Sequence, residues 1–177
     1  MESWIVCLGC GLKLPYRGDP PDAGYNASGE CLQVYYELSA YTLAHTNPAF
    51  LHQHLVDAYG VQHTCGTAPK IRTAFGLIGL YLAFERGCTG REVQRAHMDL
   101  GRMKREWPGF EPPQDLALLN VRDVMLAPSG VGRDEMLLKW ALSVWTSWSR
   151  AHDWARQVCD SLLNTSHLAK RRRQENI

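Results

Sequence analysis

The sequence has almost no excess of either charge, since 19 Lys and Arg residues stand against 18 Asp and Glu residues and the formal net charge is +1. Such a chain has no overall field that would draw it to nucleic acid or to an acidic substrate. The one dense run of a single sign is Lys170 to Arg173, and runs of this kind are usually solvated tails. We therefore expect no nucleic-acid partner and interpret residues 170–177 as a basic flexible tail.

A long hydrophobic run is also lacking. The most apolar window, Phe75 to Phe84, is followed at once by Glu85 and Arg86 and is too short to cross a bilayer. The segment Met1 to Val6 has no basic stretch followed by a long apolar one, as a secretory signal would. These absences predict a cytoplasmic protein without membrane contact. In that compartment the six cysteines are expected to be metal ligands or buried thiols, not disulfides.

Sustained alternation of apolar and polar residues, internal repeats and interdomain linkers are missing as well. Apolar residues recur instead at helical spacing, and 177 residues of which 45% are hydrophobic suit one domain with its own core. The prediction is an all-α, single-domain helical bundle over residues 1–169. The predicted helices cover about 29–45, 48–63, 69–87, 91–105, 120–127 and 133–170, the last with a second section capped near Ser149.

The region 1–30 departs from this helical pattern, because residues 7–30 contain many glycine and proline breakers. An irregular segment of this length in a compact domain needs something to hold it. Cys7-x-x-Cys10-Gly11 is the candidate, since two thiolates two residues apart can bind one zinc ion within a tight turn. Two unrelated cysteines and a redox pair are the alternatives. The redox pair needs a strand–helix context that the sequence lacks.

Two more ligands are needed for a tetrahedral zinc site. The first two predicted helices are of similar length and are joined by a short turn at Asn47-Pro48, which favours an antiparallel hairpin. Cys31 lies about 16 residues before this turn and His63 about 16 after it, so both lie about 22–24 Å along their helices. The sequence therefore predicts a structural Cys3His site for Zn²⁺, formed by Cys7, Cys10, Cys31 and His63. Four ligands leave no open position for a catalytic water.

The two helical ligands each have an ordinary alternative. Cys31 has the character of a buried apolar thiol, and His63 that of a C-terminal histidine favoured by the helix dipole. Cys65 is the substitute if either fails. His52 is a poorer substitute, because it lies about 16 Å from His63 along the same helix.

The middle of the second helix is the other stretch whose residues suit chemistry. His52, Asp57 and Tyr59 are the candidate catalytic residues, for general acid–base work. His54 lies three residues before Asp57 and can contact it as an imidazole–carboxylate pair. A buried aspartate also needs a partner, for which Arg72 or a tryptophan N–H is a candidate. The more ordinary interpretation, which the sequence favours, is a satisfied polar network that fixes helix packing. A second, open metal site of His52 or His54 with His152 is a further alternative.

Taken together, these residues resemble an uncharacterised bacterial family, a domain of unknown function common in actinobacteria. The resemblance covers nearly the whole chain except the basic tail. It implies no activity, because no activity is established for the family. It does imply that the candidate metal ligands and the candidate catalytic residues His52 and Asp57 lie in one important region. Its motifs here are Cys7-x-x-Cys10-Gly11, Tyr25-x-Ala27-Ser28-x-x-Cys31, His52-x-x-x-x-Asp57-Ala58-Tyr59-x-Val61-Gln62-His63, Gly79-Leu80-Tyr81-Leu82-x-x-Glu85-Arg86-Gly87 and Ser143-Val144-Trp145-x-x-Trp148-Ser149.

Two functions remain open at this point. The first is a small-molecule-tailoring enzyme or ligand-binding protein with a structural zinc and a pocket near His52, Asp57 and Tyr59, whose partner is a small molecule. The second is a non-enzymatic protein-interaction module with a purely structural zinc. A deep pocket reached by His52 or Asp57 favours the first, whereas a sealed polar core and an exposed apolar patch favour the second.

Overall fold

The structure is a computed structural model that describes residues 3–45 and 47–163. Within these residues the chain forms seven α-helices, one 3-10 turn and a two-stranded sheet, which confirms a mainly helical single domain. The basic tail, residues 170–177, lies outside the described residues. The elements are β1 (Trp4–Val6), β2 (Lys13–Pro15), α1 (Gly29–Ala44), α2 (His52–Gln62), α3 (Lys70–Arg86), α4 (Gly90–Gly101), α5 (Val121–Leu126), α6 (Val131–Ser147), the 3-10 turn Ser149–Ala151 and α7 (His152–Leu162).

Several helix ends follow from local chemistry that is visible in the sequence. The Ser28 side chain accepts a hydrogen bond from the first turn of α1, and Thr89 forms a capping box with Glu92 at the start of α4. Gly87 stops α3 in the left-handed conformation, with φ 66°. None of the helices formed by residues 3–45 and 47–163 has the length and apolar character needed to cross a bilayer.

Three predicted boundaries are wrong. The second helix begins at His52 and not at Pro48, because Phe50 takes a φ of 53° that a right-handed helix cannot contain. The fourth helix ends at Gly101, four residues before the predicted end at Arg105. The last helical section, α7, ends at Leu162 and not near Lys170. All three errors lie at helix ends, where periodicity carries the least information.

The loop-rich opening contains a β-hairpin that the sequence analysis did not predict. Strands β1 and β2 pair antiparallel, with Ile5 opposite Leu14 and Val6 opposite Lys13. Each strand has three residues, too few for alternation to be recognised. The connection between them, residues 7–12, holds both cysteines of the Cys-x-x-Cys motif.

Helix α2 lies at the centre of the domain and contacts α1, α3, α4 and α6. Leu55, Ala58 and Val61 have no exposed surface, as expected for a helix that is apolar on most sides. Gly76 and Gly79 let α3 approach α2 closely, because a Cβ at either position would run into Val61 or Asp57. The central position of this helix brings its C-terminal end, with His63, to the N-terminal hairpin.

Candidate metal centre

The structure brings together the four residues that the sequence analysis proposed as ligands. The donor atoms of Cys7, Cys10, Cys31 and His63 all lie within 4.8 Å of one another. Three of these residues have no exposed surface, and Cys10 is 7% exposed. All the cysteines involved are free thiols. A buried Cys3His group of this kind could hold a metal ion.

Two of the six donor–donor distances match the edges of a tetrahedral metal site. The Sγ atoms of Cys10 and Cys31 are 3.8 Å apart, and Cys31 Sγ is 3.5 Å from His63 Nε2. Zinc–sulfur bonds of about 2.3 Å and zinc–nitrogen bonds of about 2.0–2.1 Å give tetrahedron edges of about 3.8 Å and about 3.6 Å, respectively. A disulfide would require a sulfur–sulfur distance of about 2.05 Å. The donors are therefore spaced for a shared ion and not for a covalent bond.

The hairpin turn presents the first two thiols. The Cys7 N–H donates to the Leu12 carbonyl and the Gly11 N–H donates to the Cys7 carbonyl, both at 2.8 Å. Gly11 has a φ of 73°, which favours glycine. Gly9 is required for a different reason, since a Cβ there would lie 2.5 Å from the Asn26 carbonyl oxygen and 2.6 Å from the His63 ring.

The helical hairpin supplies the other two donors. Cys31 is in the first turn of α1, and its N–H donates to Ser28 Oγ at 3.2 Å. A thiolate in the first turn is favoured by the helix dipole. His63 follows the last residue of α2, and its Nδ1 lies 3.0 Å from the Tyr59 carbonyl oxygen. The carbonyl requires a proton on Nδ1, so the Nε2 lone pair is left to face Cys31.

The three thiols do not titrate independently. Hydrogen bonds from Cys10 and Cys31 lower the pKa of Cys7 below its usual range. A hydrogen bond with Cys31 raises the pKa of Cys10, and burial adds to this increase. One buried thiolate is thus stabilised by its neighbours, while further thiolates need a cation between them.

An aromatic stack covers the cluster. The Tyr59 ring lies 4.0 Å from the His63 ring and 4.0 Å from the Tyr35 ring, and its hydroxyl donates to Cys31 Sγ at 3.7 Å. Tyr25 meets Tyr59 edge-on at 5.3 Å, and the Arg72 guanidinium lies 4.0 Å above Tyr25. Tyr59, a candidate catalytic residue in the sequence, is therefore part of the surroundings of the metal cluster.

Asp57 lies apart from this cluster, buried between α2 and α3. Its Oδ1 accepts a hydrogen bond from Gln53 at 3.0 Å, and burial raises its pKa well above the usual range. His97 Nδ1 is 3.9 Å from the same oxygen, but burial lowers the pKa of His97 to about 4. Burial therefore disfavours the charged form of both groups. Asp57 Oδ2 has no hydrogen-bond partner in the described part of the chain.

The partners suggested for Asp57 by the sequence are wrong. The Arg72 guanidinium donates to the Gly24 carbonyl, and the indole of Trp140 donates to Gln62 at 2.9 Å. The predicted contact with His54 does not form among the described residues, where His54 Nδ1 is buried without a hydrogen-bond partner. The partner is instead Gln53, one turn back on the same helix.

His52 has a third environment. It is half-buried, and its Nδ1 lies 2.9 Å from Thr42 Oγ1 of α1. Burial lowers its pKa. The structure therefore brings His63 and Tyr59 together but places His52 and Asp57 in separate surroundings, each held by a different neighbour.

The surface clefts formed by the described residues include three with volumes of about 270, 160 and 300 Å³. The first lies between β2, α1 and α5, the second beside Leu8 and Trp148, and the third around Phe50 and Arg91. His52, Asp57 and Tyr59 line none of these three. Glu30, which lines the first cleft, is not among the predicted site residues; an acidic residue in the first turn of a helix is the signal that the sequence offers for it.

Most of the chain, including the metal cluster, matches the sequence model of a protein family. Residues 5–149 match the sequence model of a family of unknown function, DUF5946. The chain belongs to this family. The DUF5946 match includes all four donors of the metal cluster and ends before α7. No curated protein and no solved structure matches the chain, and its actinobacterial origin stays a prediction.

Proposed function

We propose that this DUF5946 protein binds one zinc ion in a structural site formed by Cys7, Cys10, Cys31 and His63. The observation that supports this most directly is the donor spacing, 3.8 Å between Cys10 and Cys31 and 3.5 Å between Cys31 and His63. These values agree with the edges of a zinc tetrahedron. Thiolate and imidazole donors also favour zinc over magnesium or calcium, which prefer oxygen.

The zinc ion in this proposal stabilises the fold and performs no reaction. Four protein donors fill a tetrahedral ion, and a catalytic zinc keeps one position for water or substrate. The burial of all four donor residues argues in the same direction. The ion ties the N-terminal hairpin, which is too small to be stable alone, to α1 and α2.

We infer further that the protein acts by binding a small molecule. The separate surroundings of His52, Asp57 and Tyr59 weigh against an acid–base centre, because a general base must reach the proton that it abstracts. Asp57 is 4% exposed, so substrate would have to enter the packed contact between α2 and α3. An open cleft elsewhere suits a ligand better.

Metal analysis of protein purified without added zinc tests the metal part. We expect about one zinc per chain, and Cys31→Ser should lose most of it and lower the midpoint of thermal unfolding. Cys65→Ser is the matched control, because Cys65 is partly exposed, hydrogen-bonds to Thr67 at 3.1 Å and lies outside the cluster.

Two results would overturn the metal proposal: less than about 0.2 zinc per chain in the wild-type protein, or equal zinc content and stability in Cys31→Ser and Cys65→Ser. The binding role is tested by a screen of small molecules against the zinc-loaded protein. Failure of every compound to raise the unfolding midpoint would instead favour the interaction module.

A further inference from the structure

The cleft between β2, α1 and α5 has a lining of both apolar and charged residues. Its volume is about 270 Å³, and its apolar lining includes Leu14, Val34 and Met125. Glu30 and Arg17 are among its charged lining residues. Its volume is at the small end of the range for ligand sites, so it suits a compound of fragment size.

Glu30 is positioned by backbone groups. The N–H groups of Arg17 and Gly18 donate to Glu30 Oε1 at 2.9 and 3.1 Å. The residue is only 4% exposed. The second carboxylate oxygen, Oε2, is buried and has no hydrogen-bond partner in residues 3–45 and 47–163. One half of the carboxylate is therefore fixed by the protein, and the other half has no hydrogen-bond partner within the described residues.

The carboxylate also lacks a compensating charge. Burial opposes its ionisation, but the hydrogen bonds from Arg17 and its neighbours outweigh that effect and lower the pKa of Glu30 below its usual range. No arginine or lysine among the described residues forms an ion pair with Glu30, although Arg17 and Arg122 border the same cleft. The carboxylate therefore favours its ionised form and has no paired cation, so a positively charged ligand can form a charge-assisted hydrogen bond with it.

We propose that this cleft binds a small organic cation, an ammonium or guanidinium group on an apolar skeleton. The cationic N–H donates to the Glu30 carboxylate, and the skeleton packs on Val34 and Met125. A metal ion fits less well, because the Cys3His cluster is the one group of three or more ligating residues found in the part of the chain that the structure describes. Glu30 alone would offer a metal a single carboxylate, whereas one carboxylate suffices for an ammonium group.

This inference rests on the binding role proposed above and is independent of zinc. The probe is n-butylammonium, with n-butanol as the neutral compound of similar shape. Titration of the zinc-loaded, ¹⁵N-labelled protein is followed by NMR. We expect saturable shifts of the Arg17 and Gly18 amide signals with n-butylammonium and none with n-butanol. These two amides donate hydrogen bonds to the same carboxylate that would bind the ammonium group.

Variants at two acidic residues identify the binding group. Glu30→Gln keeps an oxygen for the amides of Arg17 and Gly18 and removes the charge, so it should weaken n-butylammonium binding by about tenfold or more. Glu111→Gln removes an exposed charge outside the cleft and should leave binding unchanged.

The proposal is overturned if the wild-type protein gives no saturable shift, if n-butanol gives the same shifts, or if Glu30→Gln binds as tightly as Glu111→Gln. The comparison of the two probes on the wild-type protein remains decisive if Glu30→Gln fails to fold. Zinc content is measured on the same samples. A protein that contains zinc but does not bind n-butylammonium contradicts only the cation-binding proposal and not the zinc proposal.

Discussion

At the scale of single residues, the metal centre depends on groups that bind nothing themselves. His63 can face the thiols because the Tyr59 carbonyl fixes its tautomer. The hairpin can lie against the helices because Gly9 has no side chain to meet Asn26. The ligands are recognisable from their chemistry, but these supporting residues are recognised only from their contacts.

Gly9→Ala should therefore weaken both the metal site and the fold. Its Cβ would lie 2.5 Å from the Asn26 oxygen and 2.6 Å from the His63 ring, and neither backbone nor ligand can move freely. We expect a loss of about 1–3 kcal/mol in the free energy of unfolding and weaker zinc binding, measured by urea unfolding and competition with a chelator.

Gly66→Ala is the matched control for this substitution. Nothing lies within 4 Å of a Cβ at Gly66, so its stability should stay within about 0.5 kcal/mol of the wild type. Equal stability of the two variants would contradict the close contact of Gly9 with Asn26 and His63.

At the scale of elements, the N-terminal hairpin is held by few contacts apart from the cluster. Its strands have three residues each, and a two-stranded hairpin is at best marginally stable by itself. The adjoining loop is fixed to α2 by the hydrogen bond from the Asn26 N–H to the His63 carbonyl, at 2.8 Å. By contrast, α2 and α3 pack closely along their length.

Removal of the metal should consequently release the hairpin before the helices unfold. After chelation we expect faster hydrogen exchange at the amides of Cys7, Gly11 and Asn26, because their hydrogen bonds lie in or beside the cluster. The amides in the middle of α3 should keep their protection. Uniform acceleration over the whole chain would mean that the metal holds the entire fold, and no change would mean that it holds nothing.

At the scale of the whole molecule, stability depends on polar groups sealed in the core. Burial lowers the pKa of His54 and of His97 to about 4, so both contribute stability that is lost as the pH falls from about 6.5 towards 4. Asp57 acts in the opposite sense. Its pKa is raised by burial, so the folded state holds a proton that the unfolded state releases above pH 3.8.

Asp57→Asn isolates this second effect, because the variant keeps the shape and cannot ionise. Relative to the wild type, its free energy of unfolding should improve as the pH rises above 4, by up to about 1.4 kcal/mol per pH unit until the folded-state pKa is reached. Urea unfolding at a series of pH values measures the difference in free energy of unfolding between the variant and the wild type. The contributions of the histidines and the metal are the same in both proteins and therefore cancel in this difference. A constant difference would mean that Asp57 is ionised in the folded protein.

Much of this architecture could be predicted from the sequence, for identifiable reasons. Ser28, Thr89 and Gly87 mark helix ends through local hydrogen bonds and backbone conformation, which do not depend on the rest of the fold. The meeting of Cys31 with His63 follows from helix rise and the length of the hairpin. The start of α2 could not be predicted, because the unusual φ of Phe50 is imposed by its surroundings.

By itself, the sequence determined the helical class and the four residues of the Cys3His cluster, since periodicity and the Cys-x-x-Cys spacing are local and the lengths of two adjacent helices place Cys31 near His63. Only the tertiary structure decided the fate of the other polar residues. It placed Tyr59 beside the cluster, paired Asp57 with Gln53 and left one oxygen of Glu30, a residue that lines a cleft, without a partner among the described residues. The physical reason is that a partner for a buried polar group comes from whichever element packs against it, and packing is a property of the whole chain.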